Sequence, residues 1–269
     1  VTGNGAEKQR YTYDGLGRLT NRQLKPSASI TLNHSYTYAD AAGNKTPSLV
    51  ETLTTAAGTY TYTYDAAGNI LSISDGAYLL SYQYDGLNRL IRENDERAGK
   101  TYTYEYAQGN ITKKKEYAYT TGTVSGTPLN VTEWEYGNAE WGDLLTNWNG
   151  QPLEYDSIGN LTAFGTEGAA RRELFWNGRQ LKSIRLGQGA AATNILYEYN
   201  SDGLRISRTA TDADEQAAVT KYIYNGDILA GEIRDDGKSL LFYYDNNVQP
   251  FGLRYNGTDY YYLRNLQND

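Results

Sequence analysis

Neither cysteine nor methionine occurs among the 269 residues, histidine occurs once, as His34, and proline only five times. Without cysteine there are no disulfides, thiol nucleophiles or Cys-based metal sites. One histidine is too few for a His-based zinc site. With no methionine at position 1, the reading frame is expected to extend beyond this stretch at both ends. No apolar run approaches the roughly 20 residues of a membrane-spanning helix, and no signal-peptide apolar region is present. Positive charge is scarce as well: the formal net charge is −7, and the one basic run, Lys113 to Lys115, is followed at once by Glu116. Nucleic acid or an anionic membrane would call for a clustered basic surface, so the run reads as a solvated strand face.

What is abundant is tyrosine, 27 residues against four Phe and four Trp, together with 28 glycines. This profile suits strands and turns. Each buried Tyr needs a partner for its hydroxyl, so the core should be layered and partly polar. The stretch Tyr62 to Ile70 shows how the residues are used. Tyr62 and Tyr64 project from one face of an extended chain and Thr63 from the other. Asp65 and Gly68 take the first and fourth positions of a type I turn, where Asp accepts from turn N–H groups and Gly supplies a positive φ. Ile70 opens the return strand, and the unit is a β-hairpin.

The same unit recurs along the chain. Copies are Tyr11, Tyr13, Asp14, Gly17; Tyr36, Tyr38, Asp40, Gly43, Asn44, with one extra residue; Tyr82, Tyr84, Asp85, with Asn88 in the Gly position; and Tyr104, Tyr106, Gly109, one residue short and without the Asp. After a divergent stretch from Trp134 to Leu145 come Tyr155, Asp156, Gly159; a shortened copy with Trp176 in the second aromatic slot; Tyr197, Tyr199, Asn200, Gly203; and then Tyr224, Tyr244 and Tyr262. Eleven intervals over 249 residues give about 23 residues per repeat, a period typical of repeat arrays. One repeat buries too little apolar surface to offset the entropy of ordering itself, so neighbours must share their aromatic layers. The expectation is an all-β chain of tandem hairpins forming one continuous array over 1–269, about 12 repeats, with no linker.

The pattern Y-x-Y-D-x-x-G-[RN]-[LI] at this period resembles the YD repeat of the Rhs family, which includes bacterial polymorphic toxins and wall-associated proteins. Residues 251–269, with Phe251, Gly252, Tyr255, Asn256, Gly257, Tyr260, Tyr261, Tyr262, Arg264, Asn265, Gln267 and Asp269, resemble the start of the Rhs-associated core, although Asn268 stands where that core usually has Gly. The resemblance implies a continuous spiral sheet forming part of a hollow β-shell around a C-terminal toxin or peptide cargo of the same polypeptide, in a secreted or surface-exposed bacterial protein. The DPxGL-type motif that supports autoproteolysis in many members does not occur in this sequence, and no catalytic residue is carried over.

The residues that could carry chemistry have structural explanations. His34 precedes Ser35, but nothing around the pair resembles a nucleophile elbow. The recurring carboxylates Asp14, Asp65, Asp85, Asp156 and Asp245 each have a turn to organise, whereas a glycosidase needs two carboxylates facing each other in a cleft. Asp212, Asp214 and Glu215 resemble the start of a calcium loop whose later ligands are missing. The N-x-Thr sequons at Asn110, Asn130, Asn160 and Asn256 read as by-products of the repeat. The expectation is a non-enzymatic structural protein without a cofactor, whose unpaired strand edges favour self-association. The alternative is an adhesin recognising glycans or a partner protein, with the non-repeat aromatics Trp141 and Trp148 as the platform.

Overall fold

In the computed structural model the protein is all-β, with no α-helix among the described residues. The structure describes residues 2–3, 6–7, 9–27, 29–39, 48–168, 171–189, 192–212, 214 and 216–267. Asp40, Gly43 and Asn44 of the second repeat, Glu215, Asn268 and Asp269 lie outside them. The chain divides into two compact units, Val1–Thr132 with Leu263–Asp269, and Glu133–Tyr262.

In the first unit β1 (Thr2–Gly3) and β2 (Ala6–Glu7) pair with each other. A meander follows through β3 (Gln9–Tyr13), β4 (Leu19–Leu24), β5 (Leu32–Tyr38), β6 (Val50–Thr55), β7 (Gly58–Tyr64), β8 (Ile70–Ser74), β9 (Leu79–Tyr84), β10 (Leu90–Asp95), β11 (Lys100–Ala107) and β12 (Asn110–Ala118). Each strand from β3 to β11 pairs antiparallel with the next.

Alternation decides the faces. Along β7 the tyrosines 60, 62 and 64 are buried or half-buried while Thr59, Thr61 and Thr63 are exposed. On the Tyr face Leu53 lies opposite both Tyr36 and Tyr60, and Ile73 opposite Tyr62 and Leu80, which builds the buried cluster Leu53, Tyr62, Ile73. The other face carries hydroxyl pairs instead: Thr37–Thr52 at 2.7 Å, Thr54–Thr59 at 2.9 Å and Thr63–Ser72 at 2.6 Å. Such cross-strand hydroxyl pairs suit a wet surface. At the hairpin ends remote from the Asp turns sits a polar node. Thr101, fully buried, bonds Asn94 and Thr120, and Asn94 bonds Ser81 in turn.

The second unit has the same plan. Strand β13 (Asn130–Glu135) runs into it, with Trp134 and Glu135 pairing with β14 (Asn147–Trp148). The series continues through β15 (Gln151–Tyr155), β16 (Leu161–Phe164), β17 (Arg172–Asn177), β18 (Gln180–Leu186), β19 (Thr193–Tyr199), β20 (Arg205–Thr211), β21 (Ala217–Asn225), β22 (Ile228–Arg234), β23 (Ser239–Tyr244), β24 (Pro250–Tyr255) and β25 (Thr258–Tyr261). Again every strand pairs antiparallel with its successor.

Candidate functional site

The recurring corner is the most elaborated chemistry in the chain. At Asp65 the side chain accepts from the N–H groups of Ala67 and Asn69, both at 2.9 Å, and from Asn69 Nδ2 at 2.8 Å. The backbone closes the turn with Gly68 N–H donating to Asp65 O at 3.2 Å and Asp65 N–H to Asn69 O at 2.9 Å. Gly68 has φ 88°, a conformation open to glycine and strained for most side chains. Asp14, Asp85, Asp156 and Asp245 each accept from the N–H groups two and four residues on, at 2.9–3.0 Å, and Asn200 does so at 2.9–3.1 Å. Asn88, standing in the Gly position, has φ 60°.

Hydrogen bonds from the residue four positions on, Arg18, Asn69 or Arg89, hold the carboxyls of Asp14, Asp65 and Asp85 below their ordinary value of 3.8. A general acid needs the opposite shift. These carboxylates are ionised, saturated with donors and committed to their turns.

A second device joins one repeat to the one before it. The hydroxyls of Tyr38, Tyr64, Tyr84, Tyr106, Tyr155, Tyr199, Tyr224 and Tyr244 donate to the carbonyls of Leu19, Val50, Ile70, Leu90, Leu145, Leu181, Arg205 and Leu229 at 2.7–2.9 Å. Trp176 Nε1 makes the same bond to Leu161 O at 2.7 Å. In all but the Leu145 case the acceptor is the first or second residue of a return strand and lies beside a register shift, as at Thr12/Tyr13 and Thr63/Tyr64. A β-bulge takes backbone groups out of the ladder, and the next repeat's aromatic supplies a donor there. The repeats are therefore clipped together by hydrogen bonds more than by ring stacking.

The residue after the turn Gly adds a third contact. In two copies it is an Arg whose guanidinium lies over the next repeat's second tyrosine, Arg18 at 4.4 Å from the Tyr38 ring and Arg89 at 4.6 Å from Tyr106. Where it is Asn, its amide reaches the next corner: Asn69 Nδ2 donates to Asn88 Oδ1 at 2.9 Å, and Asn160 Nδ2 to Gly178 O at 2.8 Å. Asn160, a sequon residue, is thereby buried to 6% exposure.

The other candidates are dispersed. Trp141 is 53% exposed, with its ring against Gly159, where a Cβ would come within 2.8 Å of it. Trp148 is 39% exposed and tilts against Phe164 at a ring separation of 5.7 Å. His34 is buried opposite Arg22, its Nδ1 without a partner; burial first, and the Arg22 charge second, lower its pKa. Ser35, adjacent on the strand and so on the opposite face, accepts from Asn21 Nδ2 at 2.9 Å, and no Ser-His dyad forms. Asp212 accepts from the N–H groups of Asp214 and Gln216, an ordinary Asx turn. Among the described residues no three His, Cys, Asp or Glu side chains are grouped to hold a metal ion. The lysine run is not a uniform solvated face: Lys114 lies 4.2 Å from the centre of the Tyr102 ring, while Lys115 pairs with Glu105, because neighbours on a strand face opposite ways.

No family model matches the chain. Among curated proteins, Double-stranded DNA deaminase toxin A of Burkholderia cenocepacia (strain H111) is 26% identical over 189 residues, 65% of this chain and 13% of that protein. Probable deoxyribonuclease RhsB of Dickeya dadantii (strain 3937) is 25% identical over 248 residues, 83% of this chain and 16% of that protein. The chain thus spans a small part of the curated relatives it matches. Among solved structures, the crystal structure of TcdB2-TccC3-Cdc42 covers 93% of this chain, and 16% of its own, at a TM-score of 0.48 and 15% identity. Hairpins that turn on Y-x-Y-D-x-x-G, together with an alignment to RhsB over 83% of this chain, make it similar to the Rhs family of YD-repeat proteins.

Proposed function

We propose that residues 1–269 act as one array, a structural segment of a hollow shell in a secreted or surface-exposed bacterial polypeptide, and that the shell encloses a toxin or peptide cargo encoded beyond residue 269. The reading includes residues 251–269 as the start of an Rhs-associated core. The observation that carries it is the clip from each repeat's second aromatic to the repeat before. Wall-building is what such a chain of links accomplishes, and the turn carboxylates are consumed in the same construction. The deaminase and deoxyribonuclease named for the relatives are activities this segment does not perform in this reading. The test is to express the whole reading frame and challenge it with protease. A divergent C-terminal domain that survives digestion with the repeats intact, and is degraded once they are removed, is the expected result. A reading frame without such a domain would end the encapsulation reading.

A second reading rests on the exposure of Trp141 and Trp148: the array is an adhesin that stacks sugars on these rings. Binding on a glycan array that disappears on Trp141→Ala, with the melting temperature retained, would favour it. A silent array counts against it. Strand edges left unpaired at the ends of an array favour self-association in either reading, and a stable monomer in light scattering at high concentration would contradict that.

A further inference from the structure

His34, the one histidine of the chain, lies on β5 at 5% exposure. Its Nδ1 is sealed from solvent and makes no hydrogen bond. Buried polar atoms are almost always partnered, and an imidazole nitrogen left alone marks a place where an apolar side chain would pack at lower cost. On the Tyr face a row of residues in register runs Tyr11, Arg22, His34 across β3, β4 and β5. Two residues along the strands on one side lie Leu24 and Leu32, at 2% and 8% exposure, and on the other side Tyr36 opposite Leu53, which is 1% exposed. The imidazole is therefore set in an apolar band with a guanidinium directly opposite it.

The strands around the ring turn few titratable groups toward it. Strand β4 presents Arg22, β3 presents Tyr11 beyond it, and β5 presents Tyr36. From β6 come Leu53 and Thr55, neither of which titrates, and Thr55 Oγ accepts from Ala57 N–H at 3.1 Å. The carboxylate of β6, Glu51, stands at the register shift beside Tyr38, four residues along from Thr55. Strands β3, β4 and β5 contain no Asp or Glu. A proton on the ring would thus place a second positive charge against Arg22, away from water and without a carboxylate beside it.

Burial first, and the Arg22 charge second, hold the His34 pKa below the ordinary 6.5. An unfolded or locally opened chain titrates near 6.5, so over the interval between the two values the open form binds more protons than the closed one. The stabilisation is complete above about pH 6.5 and is lost as pH falls from there toward the folded value. The corner carboxylates act near and below 3.8, in a separate window.

We propose that β4–β6 form a proton-operated latch: with His34 neutral the three strands stay closed, and a proton taken up by the imidazole opposite Arg22 opens the sheet there first, at mildly acidic pH. Such a latch goes beyond the shell reading and needs no cargo.

A single histidine makes the test direct. In the full chain one imidazole C2 proton resonance follows the titration by NMR, and its midpoint is expected below 6.5. Hydrogen exchange locates the opening. After correction for the intrinsic rate, amides of β4–β6 should exchange faster at pH 5.5 than at pH 7.5, by at most about tenfold, while those of β9–β11 change far less. His34→Gln, which does not titrate, should remove this dependence. Arg22→Gln should weaken it and move the NMR midpoint up toward 6.5. A parent midpoint at or above 6.5 would overturn the proposal, and so would exchange in β4–β6 that only keeps pace with β9–β11. Full pH dependence retained in His34→Gln would overturn it as well. Should either variant fail to fold, the two measurements on the parent chain still decide.

Discussion

Two kinds of corner turn this chain. At Tyr13, Tyr64, Tyr84, Tyr155, Tyr199 and Tyr244 a five-residue turn is organised by an Asp or Asn side chain. At Tyr106, Trp176 and Tyr224 the strands are joined by two residues and no such side chain takes part, as in the pair Ala107 and Asn110 around Gln108 and Gly109, with φ 52° and 93°. Both kinds keep the register shift at the second aromatic. Both also keep the bond to the preceding repeat: Tyr84 to Ile70 O at 2.9 Å in the first kind, Tyr106 to Leu90 O at 2.8 Å in the second. The Asp can be lost with the connection between repeats intact. It builds its own turn, while the aromatic and the bulge build the array.

The sharpest way to break this comparison is to remove the aromatic from each kind within the same unit. Tyr84→Ala and Tyr106→Ala should each destabilise the first unit by about 2–4 kcal/mol, from lost ring packing and an orphaned carbonyl, as measured by denaturant unfolding. The two costs should agree within about 1 kcal/mol, given the usual context dependence of such numbers. Tyr→Phe at either position should restore all but about 1 kcal/mol. A Tyr106→Ala variant that unfolds like the parent would show that the short corner does not use its aromatic as the long one does.

A smaller effect tests the fourth turn position. Gly17, Gly68, Gly159 and Gly203 have φ between 77° and 88°, yet Val248 occupies the same position of the Asp245 turn with φ 59° while 46% exposed. A β-branched side chain is strained in the left-handed region, by roughly 1–2 kcal/mol for an L-residue. Val248→Gly should therefore raise the melting temperature of the second unit, and Gly68→Ala should lower that of the first. The two-residue corner offers a control, since Ala107→Gly lies outside its positive-φ pair and should bring no such gain. A Val248→Gly variant that melts below the parent would show that the valine contributes packing worth more than its strain.

Much of this architecture could be read from the residues. The side-chain chemistry of Asp, Gly and Tyr at fixed offsets specifies strand, turn and face locally, so hairpins, corners and the Trp176 substitution were legible. The clip was half legible. A buried tyrosine announces that it needs a hydrogen-bond partner, but a backbone carbonyl in the preceding repeat has no residue identity by which to recognise it. Thr101 and Asn94 form a buried polar node outside the repeat motif, and a period-based reading passes over them. The contact of Leu266 with Tyr62 joins residues 204 apart, and no periodicity connects them. The lysine run looked uniform in sequence and is divided between two faces by the pleat. Trp141 reads as a free aromatic, yet its ring covers the glycine of a corner.

The smallest expected effect separates the two corners by acid. Asp14, Asp65 and Asp85 have folded pKa values below the ordinary 3.8, held there by the turn hydrogen bonds. Near and below 3.8 the unfolded chain therefore binds more protons than the folded one. The stabilisation is complete above that pH and is lost as pH falls through the depressed folded values. Two-residue corners have no carboxylate in this position, and Asn200 performs the same turn with an amide that does not titrate. Replacing Asp14, Asp65 and Asp85 together by Asn should lower the melting temperature at pH 7 by a few degrees, since Arg18 and Arg89 lose their carboxylate partners. The difference in melting temperature between pH 7 and pH 3 should shrink at the same time, because the variant has less to lose on acidification. If the triple variant keeps the full acid sensitivity of the parent, the carboxylates that matter lie elsewhere, and the Asp corner would differ from the short corner in geometry alone.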